Sequence, residues 1–287
     1  MFMKKAIFYM IISAIAFTLL NVFVKSLGQF SVYQIVFFRA LGSLVFTFPY
    51  LLKKKIPIYG NKKTLLILRS VFGLTSMLLF FLSLRYITMG TAVSVRYIAP
   101  IFASIFAVFL LKENIKPIQW LFLALAFSGV LVLKGFDKNL QIEGLLYALI
   151  SAVFAGLVYI TIRRIGDKDH PVVVVNYFMF ISTIIGGLLT LRNWITPIGY
   201  EWLALLSLGV FGYFAQLYMT KAMQIGETNV ITPFKYLEVI FTTIIGLLWL
   251  NEAYSLYTLL GMLIIITGLC LNLFNKSTST SSSAQKS

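Results

Sequence analysis

Residues 93–102 read VSVRYIAPIF and residues 232–241 read TPFKYLEVIF. A shift of 139 residues sets Arg96-Tyr97 on Lys235-Tyr236 and Phe102 on Phe241. The same shift carries Val71-Phe72-Gly73 onto Val210-Phe211-Gly212, Glu113 onto Glu252 and Gly129 onto Gly268. A shift of 138 carries Tyr9 onto Tyr147, Ser13 onto Ser151, Lys25 onto Arg163 and Gly28 onto Gly166. Shared apolar composition explains coincidences of Ile and Ala, but not of charges and glycines. The chain therefore reads as two tandem copies of one unit, residues 1–138 and 139–275, followed by a tail over 276–287.

What each copy contains follows from composition. The chain has 287 residues, 60% hydrophobic and 11% charged, against roughly 45–50% apolar and about 25% charged in a soluble domain. Such a chain needs a bilayer as solvent. A spanning helix needs roughly 20 mostly apolar residues. Ten such segments are expected, near 6–26, 32–52, 64–84, 90–111, 117–134, 142–162, 171–191, 199–221, 227–250 and 255–274. The first follows Met1–Lys5 without a small-residue cleavage site and is read as a membrane helix, not a removed signal. The predicted fold class is all-α integral membrane, ten transmembrane helices in two five-helix repeats. Five is odd, so the second copy enters the membrane from the opposite side. That is the inverted repeat of many secondary transporters. The Ser-rich tail after Lys276 is expected to be disordered.

The net charge of +15 and pI of 9.8 do not point to nucleic acid, because the bases lie between apolar runs. With the N-terminus inside, the inner connections carry Lys4, Lys5, Lys53, Lys54, Lys55, Lys62, Lys63, Lys112, Lys116, Arg163, Arg164, Lys168 and Lys221, and the tail adds Lys276 and Lys286. The outer connections carry Arg85, Lys134, Lys138 and Arg192. This bias predicts a multi-pass protein of the cell membrane with both termini cytoplasmic.

Charges inside the apolar segments are the candidates for function, because each needs a partner or a water-filled cavity. Lys25 and Arg69 lie near segment ends, where snorkelling to the interface suffices. Arg39 is too deep to snorkel; a salt bridge or carbonyl cap between helices is the alternative to a substrate contact. Arg96 and Lys235 form the repeat-related pair, one base from each half. Lys235 and Glu238, three apart, share a helix face and are expected either to neutralise each other or to leave Glu238 for an amine or a coupled proton. Tyr97 and Tyr236 adjoin the bases and either contact a ligand or pack. Gln216, one turn beyond Gly212, and Ser13, Asn21 and Ser151 add polar points. Ala148, Ala152 and Ala155 read as close helix packing. Pro100 and Pro233 interrupt segments four and nine, although out of register with each other. Broken helices mark binding sites in transporters.

Signals for an enzyme are weak. His170 is the only histidine and precedes Pro171 at a loop boundary, Cys270 is the only cysteine, and no metal cluster or phosphate-binding Gly-Lys loop occurs. Neither a cofactor nor a metal is expected. A secondary transporter of a small metabolite is the leading reading, with an anionic or amino-acid-like substrate because buried bases outnumber acids. An integral-membrane enzyme and a structural or sensory subunit are the alternatives.

The chain also resembles the EamA-type members of the drug/metabolite transporter superfamily. The resemblance rests on Phe37-Phe38-Arg39, on Gly90 through Ala99-Pro100 to Lys112-Glu113, and on Gly226-Glu227 through Tyr236-Leu237-Glu238 to Asn251-Glu252. It implies ten helices in inverted repeats and metabolite movement, often export. It also implies a cavity lined by the first four helices of each half, with the fifth peripheral at a homodimer contact. Proton or counter-substrate coupling would fit such a carrier. Many relatives carry Glu where this chain has Ala99; only Glu238 remains here.

Overall fold

A computed structural model describes residues 2–111, 117–136, 141–225 and 234–284. Lys112, Glu113, Lys116, Lys138, Gly226, Glu227, Pro233 and Lys286 lie outside the described residues, as do the side chains of Lys134, Arg163 and Lys276.

Every regular element among the described residues is helical. In chain order they are α1 (Phe2–Ser26), α2 (Val32–Lys53), α3 (Lys63–Ser83), α4 (Met89–Arg96), α5 (Ala99–Leu111), α6 (Pro117–Phe136), α7 (Ile142–Ile165), α8 (Pro171–Thr190), α9 (Tyr200–Ile225), α10 (Leu237–Trp249) and α11 (Leu256–Ala284), with two single 3-10 turns after α7 and α8. Apolar runs in hydrocarbon must satisfy their own backbone groups, which a helix does within one segment. Seven stretches are long and apolar enough to cross a membrane, and Pro117–Leu133, Leu237–Trp249 and Leu256–Asn272 are shorter apolar helices. Leu203, Leu248 and Trp249 stand 76%, 81% and 73% exposed, an apolar exterior that only lipid tolerates over so large an area.

Local chemistry sets the helix ends. The Ser31 hydroxyl accepts from Gln34 N–H at 3.1 Å and opens α2. His170 Nδ1 accepts from Val172 N–H at 3.2 Å ahead of α8, with Pro171 in the first turn. The sole histidine is thus a helix cap. Gly166 closes α7 at φ 55°, ψ −138°, a conformation open to glycine alone.

The bundle interleaves the two halves of the sequence. Helix α1 packs on α9 and α3 on α7, while α2 lies against α8 and α9; α5 packs on α7, α10 on α1 and α4, and α6 pairs with α11. Glycines set the closest approaches. A Cβ on Gly42 would sit 2.8 Å from the Gly209 Cα, and one on Gly129 would sit 2.7 Å from the Gly261 carbonyl. Ala148 and Ala152 are fully buried, and Ala152 and Ala155 pack on Ala99 and Phe102, as the packing reading of that stripe expects.

Three segments differ from the expectation. Segment four is two helices, α4 and α5, separated at Tyr97-Ile98. Pro100 cannot donate to the Arg96 carbonyl four residues back, so the continuous ladder fails there. In segment nine, Tyr236 is a turn residue between helical Phe234-Lys235 and α10. The two discontinuities therefore coincide with the repeat-related tyrosines, although the prolines are out of register. The last helix continues to Ala284, beyond the expected end near residue 274 and into the stretch expected to be disordered; extending a formed helix is far easier than nucleating one.

Candidate functional site

The breaks bring the two tyrosines together. The Tyr97 and Tyr236 rings meet edge to face at 5.4 Å, which places the interruptions of α4 and α10 side by side. From this crossing a cavity of about 250 Å³ runs to the end of the bundle marked by Ile165, Gly166, Asp169 and Pro171. Its wall includes Arg39, Arg69, Arg96, Tyr97, Tyr159, Gln216, Lys235 and Glu238. A neighbouring cavity of about 240 Å³ shares Pro171, Val175 and Gln216 with it.

The structure brings together Arg39, Arg96, Tyr97, Gln216, Lys235 and Glu238 of the sequence-predicted residues. Tyr236 stands behind Tyr97. Ser13 and Ser151 are drawn elsewhere: the Ser13 hydroxyl donates to the Ala215 carbonyl at 2.8 Å, and Ser151 to the Ser76 carbonyl at 2.7 Å. Both join helices of opposite halves and neither lines the cavity. Asn21 acts through Glu238, donating to its Oε1 at 3.1 Å, while the Tyr97 hydroxyl donates to Oε2.

The neutralising pair expected of Lys235 and Glu238 does not form. The Lys235 ammonium lies 5.3 Å over the Tyr97 ring and 6.0 Å from that of Tyr159. Spacing of three residues brings side chains together only on an unbroken helix, and Tyr236 interrupts this one.

Arg39 is 5% exposed and makes no salt bridge among the described residues; its Nη1 contacts the Met77 sulfur and its guanidinium lies 5.5 Å from the Phe81 ring. Arg69 does not snorkel. It is 6% exposed and sits 4.3 Å over the Phe178 ring. The Arg96 guanidinium likewise sits 4.3 Å over Phe80. Each cation is thus held by an aromatic face. A ring returns about 0.5–2 kcal/mol, whereas burying an ion costs several. The rings position these charges without balancing them.

Sequence reasoning missed Tyr159 and the aromatic seats Phe80 and Phe178, and left Arg69 at the interface rather than in the cavity. The signal available was the face of α3: Arg69, Gly73, Ser76, Met77 and Phe80 recur at helical spacing. Asp169 also reaches the cavity, but its carboxylate accepts the backbone N–H groups of Asn61 and Lys62, the latter at 2.9 Å, at the start of α3.

At the opposite end of the bundle polar contacts tie the two halves, beside a separate cavity lined by Lys25, Phe81 and Arg85 among others. Lys25 and Glu252 form the one ion pair among the described residues, joining the two halves. Lys25 also donates to the Ile87 carbonyl at 2.7 Å, and Glu252 accepts from the Met89 N–H at 2.9 Å. The Tyr254 hydroxyl takes the neighbouring Gly90 N–H at 3.2 Å. The expectation that Lys25 simply snorkels is corrected: Glu252 supplies a counter-ion within reach.

A model of the "EamA-like transporter family" matches residues 4–134 and again 142–274. Solute carrier family 35 member G1 of Homo sapiens is 27% identical over 91% of this chain and 76% of its own length. The pseudopaline exporter CntI of Pseudomonas aeruginosa is 24% identical over 92% and 94%. The S-adenosylmethionine uptake transporter of Rickettsia prowazekii is 27% identical over 96% and 94%. A crystal structure superimposes with TM-score 0.68 at 17% identity, covering 92% of this chain and 94% of that one. At that identity it shows the fold alone.

Proposed function

The chain belongs to the EamA-like transporter family, and on that premise we propose that it is a secondary transporter moving a small anionic or amino-acid-like metabolite across the cell membrane by alternating access. The observation that carries this reading is the cavity at the crossed helix breaks, where Arg39, Arg69, Arg96 and Lys235 face Glu238 and Asp169. Arg39, Arg96, Tyr97, Gln216, Lys235 and Glu238 contact the substrate; Tyr236 and Asn21 hold Tyr97 and Glu238 in place.

Ten spans in two inverted repeats, 1–138 and 139–275, belong to the same proposal. Exchange of packing partners supports it: α1 on α9 answers α7 on α3, and α10 on α1 answers α5 on α7. The Ser13–Ala215 bond likewise answers Ser151–Ser76. With both termini cytoplasmic, the cavity opens inward and the Lys25–Glu252 end faces out. One similar protein is named an exporter and another an uptake transporter, so the family leaves direction open; we favour export from the inward-facing cavity.

Purified protein in proteoliposomes tests the proposal. Arg96→Ala and Lys235→Ala are each expected to reduce flux of a carried anionic metabolite about tenfold or more, the loss of a hydrogen bond to charge worth about 1.5–3 kcal/mol. Lys63→Ala, at an exposed helix start, leaves flux near wild type. Wild-type flux in both cavity variants removes them from the site, and no flux of any metabolite removes the transporter reading.

A further inference from the structure

Three arginines are graded along one face of α3. Arg69 Nη1 lies 3.2 Å from the position a Cβ on Gly73 would take. Arg39 reaches the same helix one turn further on, at Met77, and Arg96 covers Phe80. At 1.5 Å per residue these levels are separated by about 6 Å and about 4.5 Å. The series runs from the open end of the cavity to the Tyr97–Tyr236 crossing.

The series has donors to spare. Arg39 Nε, Arg69 Nε and Arg69 Nη1 are buried without a hydrogen-bond partner among the described residues. The aromatic faces beneath the guanidiniums accept none of these in-plane N–H groups. Both nearby carboxylates are engaged, Glu238 by Tyr97 and Asn21, Asp169 by backbone N–H groups. Arg39, Arg69, Arg96 and Lys235 against Glu238 and Asp169 leave two positive charges, which a dianion would cancel.

We propose that the substrate carries at least two separate anionic groups, carboxylates or phosphates, seated at successive levels of the Arg69–Arg39–Arg96 series on α3. This rests on the transporter reading and narrows it. Arg69, at the open end, receives the leading anionic group, and Arg39 and Arg96 take it onward as the second group reaches Arg69. Fork-shaped guanidiniums suit this, since each offers two parallel donors to one oxyanion.

The test is a molecular ruler applied to the purified full-length chain. Thermal stability is measured with α,ω-dicarboxylates and α,ω-bisphosphonates of increasing chain length, against monocarboxylates and monophosphonates at equal ionic strength. A ligand that binds the folded state raises the melting temperature by mass action. The expected result is stabilisation by one or both dianion series, with an optimum at one chain length and little from the mono-anions; the responding series tells carboxylate from phosphate. Arg69→Met should melt at a higher temperature than wild type without ligand, since an unpaired buried charge is gone, and should need about tenfold or more dianion for the same shift. Equal responses to mono- and dianions, no response to either series, an unchanged shift in Arg69→Met, or a lower ligand-free melting temperature in that variant each overturn the proposal. Flux separates this from the broader reading. A carried solute with one anionic group or none removes the dianion assignment alone; absence of all flux removes transport itself.

Discussion

At the scale of the residue, Glu238 bears the sharpest chemical question. The spacing Lys235–Glu238 pairs them on paper, and the turn at Tyr236 undoes that pairing. The carboxylate instead accepts from the Tyr97 hydroxyl and Asn21, both neutral donors at the crossing of the broken helices. A carboxylate in a cavity wall with no ion-pair partner within reach is placed to exchange a proton with substrate or water. Glu238→Gln keeps the shape and removes the charge; its amide oxygen can still accept from Asn21, while its NH2 group must donate to the Tyr97 hydroxyl and so reverse that bond. Substrate exchange across vesicle membranes should persist in this variant, and accumulation driven by a pH gradient should be lost. Parallel loss of both would return Glu238 to a structural role. What the sequence made legible here was which residues carry charge inside apolar runs; Arg39, Arg96, Lys235 and Glu238 all reach the cavity. The partners were not legible, because a ring supporting a guanidinium leaves no sequence pattern beyond an apolar residue in an apolar segment. Arg69 was misread for a related reason: distance from a segment end does not tell whether the end faces lipid or a cavity.

At the scale of the element, glycine contacts and helix breaks place the site. Helices α2 and α9 touch backbone to backbone at Gly42 and Gly209, and α2 carries Arg39 one turn away. Gly42→Val should force the two helices apart and lower stability by about 1–3 kcal/mol, the usual cost of overpacking, seen as a fall in melting temperature. Gly28→Ala is the matched control, since its added Cβ would meet the Lys25 carbonyl at an ordinary 3.6 Å. A melting temperature unchanged by Gly42→Val would mean that the α2–α9 contact is loose. The helices themselves were legible from length and hydropathy, although the last one runs about ten residues further than its apolar stretch. The breaks were legible only as prolines. Pro100 does free the Arg96 carbonyl, but the interruption falls on Tyr97, and its partner falls on Tyr236, which has no breaker signature of its own. The repeat displacement, which already paired those tyrosines, was the better guide.

At the scale of the whole molecule, the two copies of the unit exchange partners so that each half supplies one side of the cavity. One end is tied by Lys25 of the first half and Glu252 of the second, while the cavity reaches the other end between α7 and α8. The repeat was legible from a handful of charged and glycine matches, but the Lys25–Glu252 tie was not, because the repeat aligns Lys25 with Arg163 and Glu252 with Glu113, not with each other. In the proposed transport cycle one cavity opens to each face of the membrane in turn. The test places a single thiol in the cavity wall, as Tyr159→Cys in a Cys270→Ser background, since Tyr159 lines the cavity and is not fully buried. An impermeant maleimide is then applied to right-side-out and inside-out vesicles, with and without Lys25→Ala to release the Lys25–Glu252 tie. Labelling is expected mainly from the cytoplasmic face when Lys25 is present, with a marked gain of labelling from the outer face when it is removed. Labelling from one face alone in both proteins, or from neither, would contradict this cycle.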